Sequence, residues 1–395
     1  MNGTTALRTH PIRIGFWQGV FALLMLAFAV VTVLRFTQGL GATTNLSDKF
    51  PWGLWIGLDL LCGVGLAAGA FALTAVVHLF NLRRFEPIVR PTVLTAFLGY
   101  VFVIIALLFD LGQPWRIWHP LIFWNPHSVM FEVAWCVMLY TTVLALELSP
   151  VVFEKLGLET PRRLIHAVTT PLVIAGVILS TLHQSSLGSL YLIVPAKLHP
   201  LWYTPLLPFL FYLSAIGAGI GMVILESHLS RRAFGRQLHM DLLEPLGRAM
   251  VVVLGVYGVL RIQVLMRNGG LGELRHPGYE AWMFLLEMGL GVVLPIALLA
   301  FPRVRTSERG LVAGAFLTVL GFVMYRLNVS VTGMERATGV HYFPSWMEVT
   351  VSLGLVGLLF AVFSLATRYL AIFPEEEHPP PRTGAGDGQT YPRPV

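Results

Sequence analysis

The chain has 395 residues, of which 55% are hydrophobic and 12% charged, with a formal net charge of +6. Soluble domains carry about 25% charged residues, so half that share and a mean hydropathy of +0.71 indicate a polytopic helical membrane protein rather than a string of soluble domains. The basic residues are dispersed over short loops, which argues against nucleic-acid binding, and two cysteines cannot by themselves hold an iron–sulfur cluster, which takes about four thiolates.

Apolar runs of spanning length, about 20 residues, fall near 16–34, 53–80, 91–111, 128–148 and 164–184. Five more fall near 203–228, 244–266, 280–301, 309–328 and 347–370. No small-residue cleavage pattern follows the first run, so it reads as a retained span. The expected fold is therefore all-α with about ten transmembrane helices. Pro302-Arg303 and Phe373-Pro374 are expected to stop the eighth and tenth.

Placing the N-terminus inside leaves sixteen Lys and Arg in cytoplasmic segments, among them Arg83, Arg84, Arg162, Arg163, Arg231 and Arg303, against seven in the opposite loops. This bias predicts an even number of spans and cytoplasmic termini. Residues 1–373 form one membrane domain in this reading. Residues 374–395, rich in Pro and Gly, form a disordered cytoplasmic tail.

Two opposite-side loops, 112–127 (GQPWRIWHPLIFWNPH) and 185–205 (SSLGSLYLIVPAKLHPLWYTP), concentrate Trp, Tyr, Pro and His. An interfacial aromatic belt accounts for some of these residues; the prolines and histidines suggest a docking face as well. Gly65 with Gly69, and Gly217 with Gly221, have the four-residue spacing that lets helix backbones approach.

The ionisable residues inside the runs carry the functional signal, because a charge at the centre of a span costs about 2.5–3.5 kcal/mol. Asp59, Asp110, Glu132 and His183 come from four successive runs and fall at one depth, near the outer side. Such groups can exchange protons beside an apolar slot. Tyr100 lies midway, and Glu226 near the inner side is a candidate for the mouth of a proton path. Glu147, His228 and Glu348 read as snorkelling side chains, and Arg261 and Arg326 as partners of carboxylates on neighbouring helices. Cys62 and Cys136 read as small packing residues. No metal site is expected. Haem would need deep histidine pairs; only His78 and His166 are candidates, and neither is deep.

The segments PWGLWIGLDLLCGVGLAAGAF, LTAFLGYVFVIIALLFDLGQPWRIWHP and WNPHSVMFEVAWCVMLYTTVLALE resemble the NrfD-like polysulfide-reductase membrane-subunit superfamily, above all its ten-helix branch of hydrogenase-2 "cytochrome b" subunits. The resemblance runs over nearly all of residues 10–370. It implies two four-helix bundles with additional helices, and a quinone-reactive anchor without haem or iron–sulfur cluster. It also implies an iron–sulfur or multihaem electron-transfer partner and a catalytic subunit, hydrogenase or molybdopterin enzyme, on the extracytoplasmic face. The menaquinone site would lie towards that face. By motif, Tyr100, Glu132, His183 and Glu226 occupy positions tied to quinone chemistry or proton movement, and Asp59 and Asp110 fall in the same segments. Glu132 and His183 would then exchange protons, with Asp59 and Asp110 tuning them, while Trp115 and Arg116 border the site. A bacterial or archaeal cytoplasmic membrane is the implied location. The rival readings are a haem-bearing b-type cytochrome and an ion or solute transporter.

Overall fold

The computed structural model describes residues 15–79, 82, 85–235, 240–275 and 278–373; the C-terminal tail inferred above lies outside them. Ten long helices emerge. They are α1 (Phe16–Gln38), α2 (a π-helical stretch Trp55–Cys62 continuing as Gly63–Leu79), α3 (Glu86–Asp110), α4 (Val129–Leu156) and α5 (Thr169–Ser189). Then follow α6 (Leu207–Phe234), α7 (Met240–Arg267), α8 (Tyr279–Ala300), α9 (Glu308–Thr338) and α10 (Trp346–Tyr369). Among the described residues nine of them are long and apolar enough to cross a membrane. The tenth, α2, is opened at its start by the π-helical stretch. The expected all-α polytopic fold is what forms.

Boundaries moved where local chemistry decided them. The run expected to begin at 164 splits, because Glu159–Ala167 is strongly two-faced and forms a separate short helix before α5 starts at Thr169. Ser128 and Ser345 cap α4 and α10 by accepting the amides of Phe131 and Glu348 at 3.4 and 3.2 Å. α9 runs ten residues beyond the expected 328, through a π-helical stretch at Asn328–Thr332.

α2, α3, α4 and α5 pack as one four-helix bundle, and α6, α7, α8 and α9 as a second. α1 and α10 pair with each other alongside α3. The seam between the bundles is tightest where α2 meets α6. A Cβ at Gly69 would stand 1.8 Å from the carbonyl oxygen of Ala215, so only glycine permits that approach. Gly291 of α8 and Gly321 of α9 meet in the same way inside the second bundle. Cys62 and Cys136 are both buried free thiols.

Candidate functional site

A cavity of about 580 Å³ opens in the first bundle, beneath the loop that joins α3 to α4. Its walls are Trp52, Ile56 and Leu60 of α2 and its approach, Ile104, Leu107 and Asp110 of α3, and Phe131, Val133, Ala134, Val137 and Met138 of α4, closed by Leu190 and Tyr191 after α5. Arg116, His119, Phe123 and Asn125 hang over it from the loop. The lining is overwhelmingly apolar with a few polar groups at one rim, the composition of a site for a flat, greasy ligand. Phe123 and Met130 are both largely exposed, which marks the open side.

Helix α3 measures the path inward, at about 1.5 Å per residue. Asp110, Leu107 and Ile104 face the cavity; one turn further, Tyr100 is fully buried, and its hydroxyl lies 2.9 Å from Nδ1 of His183 on α5. The ring of Tyr140 on α4 packs edge-on against Tyr100, with centroids 4.6 Å apart. The hydroxyl of Tyr140 and Nε2 of His183 are buried with no hydrogen-bond partner among the described residues. Beyond this trio, Glu226 of α6 faces Thr95 of α3, and one of its carboxylate oxygens is likewise buried and unpartnered. A second cavity, of about 170 Å³, follows at the opposite end and is lined by His78, Arg90, Glu147, Glu154, Arg162 and His166. From Asp110 to Arg90 the path covers about 30 Å, the thickness of a bilayer core.

Not every expected residue joins this line. Asp110 and Arg116 border the first cavity, and Tyr100 and His183 stand behind its inner end. Asp59 does not reach the cavity wall. Its carboxylate turns to α10, accepts the hydroxyl of Ser352 at 2.7 Å, and feels Asp110 through space. Glu132 lies exposed on the first turn of α4, between the cavity-lining Phe131 and Val133. Trp115 is exposed on the loop and does not line this cavity. The four ionisable groups expected together thus do not share one chamber.

Other expectations also change. Glu348 does not snorkel: it is fully buried and accepts the amides of Asn45 at 2.9 Å and Ser345 at 2.8 Å as well as the hydroxyl of Tyr342. Glu147 turns into the second cavity, with one oxygen buried, and His228 bonds Glu308 at 2.8 Å. Arg261 does neutralise a neighbouring carboxylate, Glu287 of α8, at 3.0 Å. The 185–205 loop is less a surface than expected, because Leu190, Tyr191, Leu198, His199, Leu201 and Trp202 are buried. In that loop, burial holds the His199 imidazole below its ordinary pKa, Glu273 and Glu280 pull it back up, and Arg336 donates to its Nε2 at 3.1 Å.

Sequence reasoning missed Arg35, Tyr140 and Tyr191. Arg35, one of the seven cations counted in the opposite loops, is buried and donates to the carbonyls of Phe109 and Leu111 at the end of α3, at 2.6 and 2.7 Å, beside Asp110. Tyr140 lies within the same quoted segment as Glu132, about two turns along α4 and on its buried face. That helical spacing was the available signal.

An all-α membrane protein with an apolar chamber at one end of a bundle, and titratable groups strung behind it, defines the class. Comparison then fixes the family. The family described as "Polysulphide reductase, NrfD" matches residues 42–337, and this chain belongs to it. The chain is 42% identical to a protein of Nitratidesulfovibrio vulgaris over 91% of this chain and 94% of the relative. It is 33% identical to the "Probable Ni/Fe-hydrogenase 2 b-type cytochrome subunit" of Escherichia coli, over 90% and 92% of the two chains. It is 31% identical to the "Menaquinone reductase, integral membrane subunit" of Nitratidesulfovibrio vulgaris, over 86% and 87%.

Proposed function

We propose that this chain is the quinone-reactive membrane subunit of a respiratory redox complex, with menaquinone entering the chamber between α2, α3, α4 and the start of the 185–205 loop. The observation that carries this reading is the cavity itself, about 580 Å³ of apolar wall with Asp110 and Arg116 at one rim. A naphthoquinone ring with the first units of its tail suits such a slot, and a related chain bears the name menaquinone reductase. In this reading the loop end faces the extracytoplasmic side, both termini are cytoplasmic, and the membrane is the cytoplasmic membrane of a bacterium or archaeon. The exposed Trp115, Trp118, Ile122, Phe123 and Trp124 then offer a docking face for an electron-transfer subunit with iron–sulfur or haem groups, itself bound to a hydrogenase or molybdopterin enzyme.

Quinone reduction consumes two electrons and two protons. The partner supplies the electrons, and this chain holds the ring and manages the protons. Asp110 and Arg116 bracket the rim and fix the ring's polar edge. His183, bonded to Tyr100, sits one turn behind the chamber and passes protons between it and Tyr140. Glu226 with Thr95, and Glu147 in the second cavity, continue the route to the opposite end. Asp59 acts on Asp110 through space, and Glu132 serves the open side from outside. The test is to titrate the assembled complex in membranes with 2-heptyl-4-hydroxyquinoline N-oxide, whose fluorescence is quenched on binding. Saturable quenching, displaced by a menaquinone analogue, is expected. No saturable quenching overturns the reading, and haem bands in the visible spectrum of the purified chain would move it to a b-type cytochrome.

A further inference from the structure

We infer that Arg326, buried behind Tyr191, is a positioning residue whose uncompensated positive charge favours the negatively charged form of a ring bound in the large cavity. The inference rests on the quinone reading and assigns a role to a residue outside the chamber. Arg326 stands on α9 and is fully buried. Its Nη2 donates to the carbonyl of Phe211 at 2.8 Å and to Oε1 of Gln184 at 3.3 Å, both neutral acceptors. Its Nε and Nη1 have no partner among the described residues. The guanidinium lies 3.5 Å from the ring centroid of Phe211 and 4.6 Å from that of Phe322.

The contrast with Arg261 is what makes this informative. Arg261 is equally buried but is neutralised by Glu287, and that carboxylate is further held by Trp202 at 2.8 Å and Asn328 at 2.9 Å. The titratable groups acting on Arg326 are Tyr325, Cys62, Tyr257 and Tyr191, none of them a carboxylate. A buried ion without a counter-ion is costly and is found where a charge has work to do. Tyr191 gives that charge a direction. It lines the large cavity, its hydroxyl is buried, and its ring lies 6.2 Å from Phe211, on which the guanidinium rests. Tyr191 therefore stands between the chamber and the guanidinium, its hydroxyl turned towards Ser330 and Arg326 of α9, and the cation acts across it in a medium that screens little.

A purely structural role would make Arg326 a staple between α9 and the Gln184 turn of α5, so the experiment separates charge from staple. Binding of 2-heptyl-4-hydroxyquinoline N-oxide to the assembled complex is followed by fluorescence across the pH range in which the probe ionises. Arg326→Gln removes the charge; Gln184→Glu keeps Arg326 in place and cancels its charge with a new ion pair; Arg326→Lys keeps the charge. The expected result is a loss on the order of tenfold in affinity for the anionic probe in Arg326→Gln and Gln184→Glu. The neutral probe should bind as in the parent, Arg326→Lys should retain most of the affinity, and Gln184→Glu should not lower the melting temperature. Unchanged anion binding in Gln184→Glu, or equal weakening of both probe forms, overturns the inference. Should Arg326→Gln fail to assemble, Gln184→Glu alone decides. Absence of probe binding in the parent would sink the quinone reading and this inference with it, whereas parent binding with an unaffected Gln184→Glu sinks this inference only.

Discussion

The hydroxyl of Tyr100 lies 2.9 Å from Nδ1 of His183, which ties α3 to α5 one turn behind the inner end of the chamber. Neither side chain lines the chamber, and Nε2 of His183 is left buried and unpartnered. The pair is therefore placed to hand protons on rather than to grip a ligand. In Tyr100→Phe the contact is lost while the wall stays intact. Quinone-linked turnover should fall by about 100-fold or more, the usual scale of a lost proton-transfer group, with probe affinity changed by less than about twofold. Unaltered turnover would remove the pair from the route.

Glu132 offers the complementary case. It stands exposed beside the open side of the chamber, and its neighbours Phe131 and Val133 form the wall. Glu132→Gln should assemble and bind the probe like the parent, yet lose turnover by about tenfold or more, because its carboxylate would exchange protons at the mouth. Full activity in a steady-state assay would leave it a surface residue.

The Arg261–Glu287 pair in the second bundle is a stability element. Both side chains are almost wholly buried, and Glu287 also receives Trp202 and Asn328. Glu287→Gln leaves a guanidinium buried without a counter-ion, and breaking such a pair costs about 3–5 kcal/mol. A lower midpoint of detergent-solubilised unfolding is expected; replacing both members with apolar residues should recover much of the loss.

At the seam between the bundles, Gly69→Val should be the most damaging single exchange. Its Cβ would enter the carbonyl of Ala215, a backbone atom that cannot turn away. The cost should exceed about 3 kcal/mol, seen as loss of membrane-integrated protein in a blot. Gly217→Ala, where the nearest atoms are 3.5 Å away, should be tolerated.

His199 gives the 185–205 loop a pH dependence. Burial holds its folded-state pKa below the ordinary value of 6.5. The unfolded chain therefore takes up the proton first, and stability that is complete above about pH 6.5 falls as the pH drops towards the folded pKa. Protonation would also set the imidazolium against Arg336, which now donates to it. Amide exchange in the loop should quicken below about pH 6.5, and His199→Gln should flatten that dependence.

Composition and run length were enough for the class and most of the helix count, because a chain this apolar satisfies its backbone across a bilayer by forming helices. The sequence also picked out Asp110, Tyr100 and His183, since an ionisable or hydroxyl group inside an apolar run stands out without any knowledge of its neighbours. What it left open was which way each side chain points. Arg35 and Glu348 look like interfacial charges in one dimension, yet the first holds the end of α3 and the second gathers amides of the 40–54 loop region and α10's own cap. Asp59 and Glu132 have the wrong azimuth for the chamber, one turned to Ser352 and the other outward. Depth follows from position along a run, whereas azimuth is fixed by which helices pack together. That choice was made by close backbone approaches such as Gly69 on Ala215 and by the π-helical opening of α2, neither of which has a signature in composition. Helix packing alone therefore sets Arg326 behind Tyr191, 135 positions apart in the numbering.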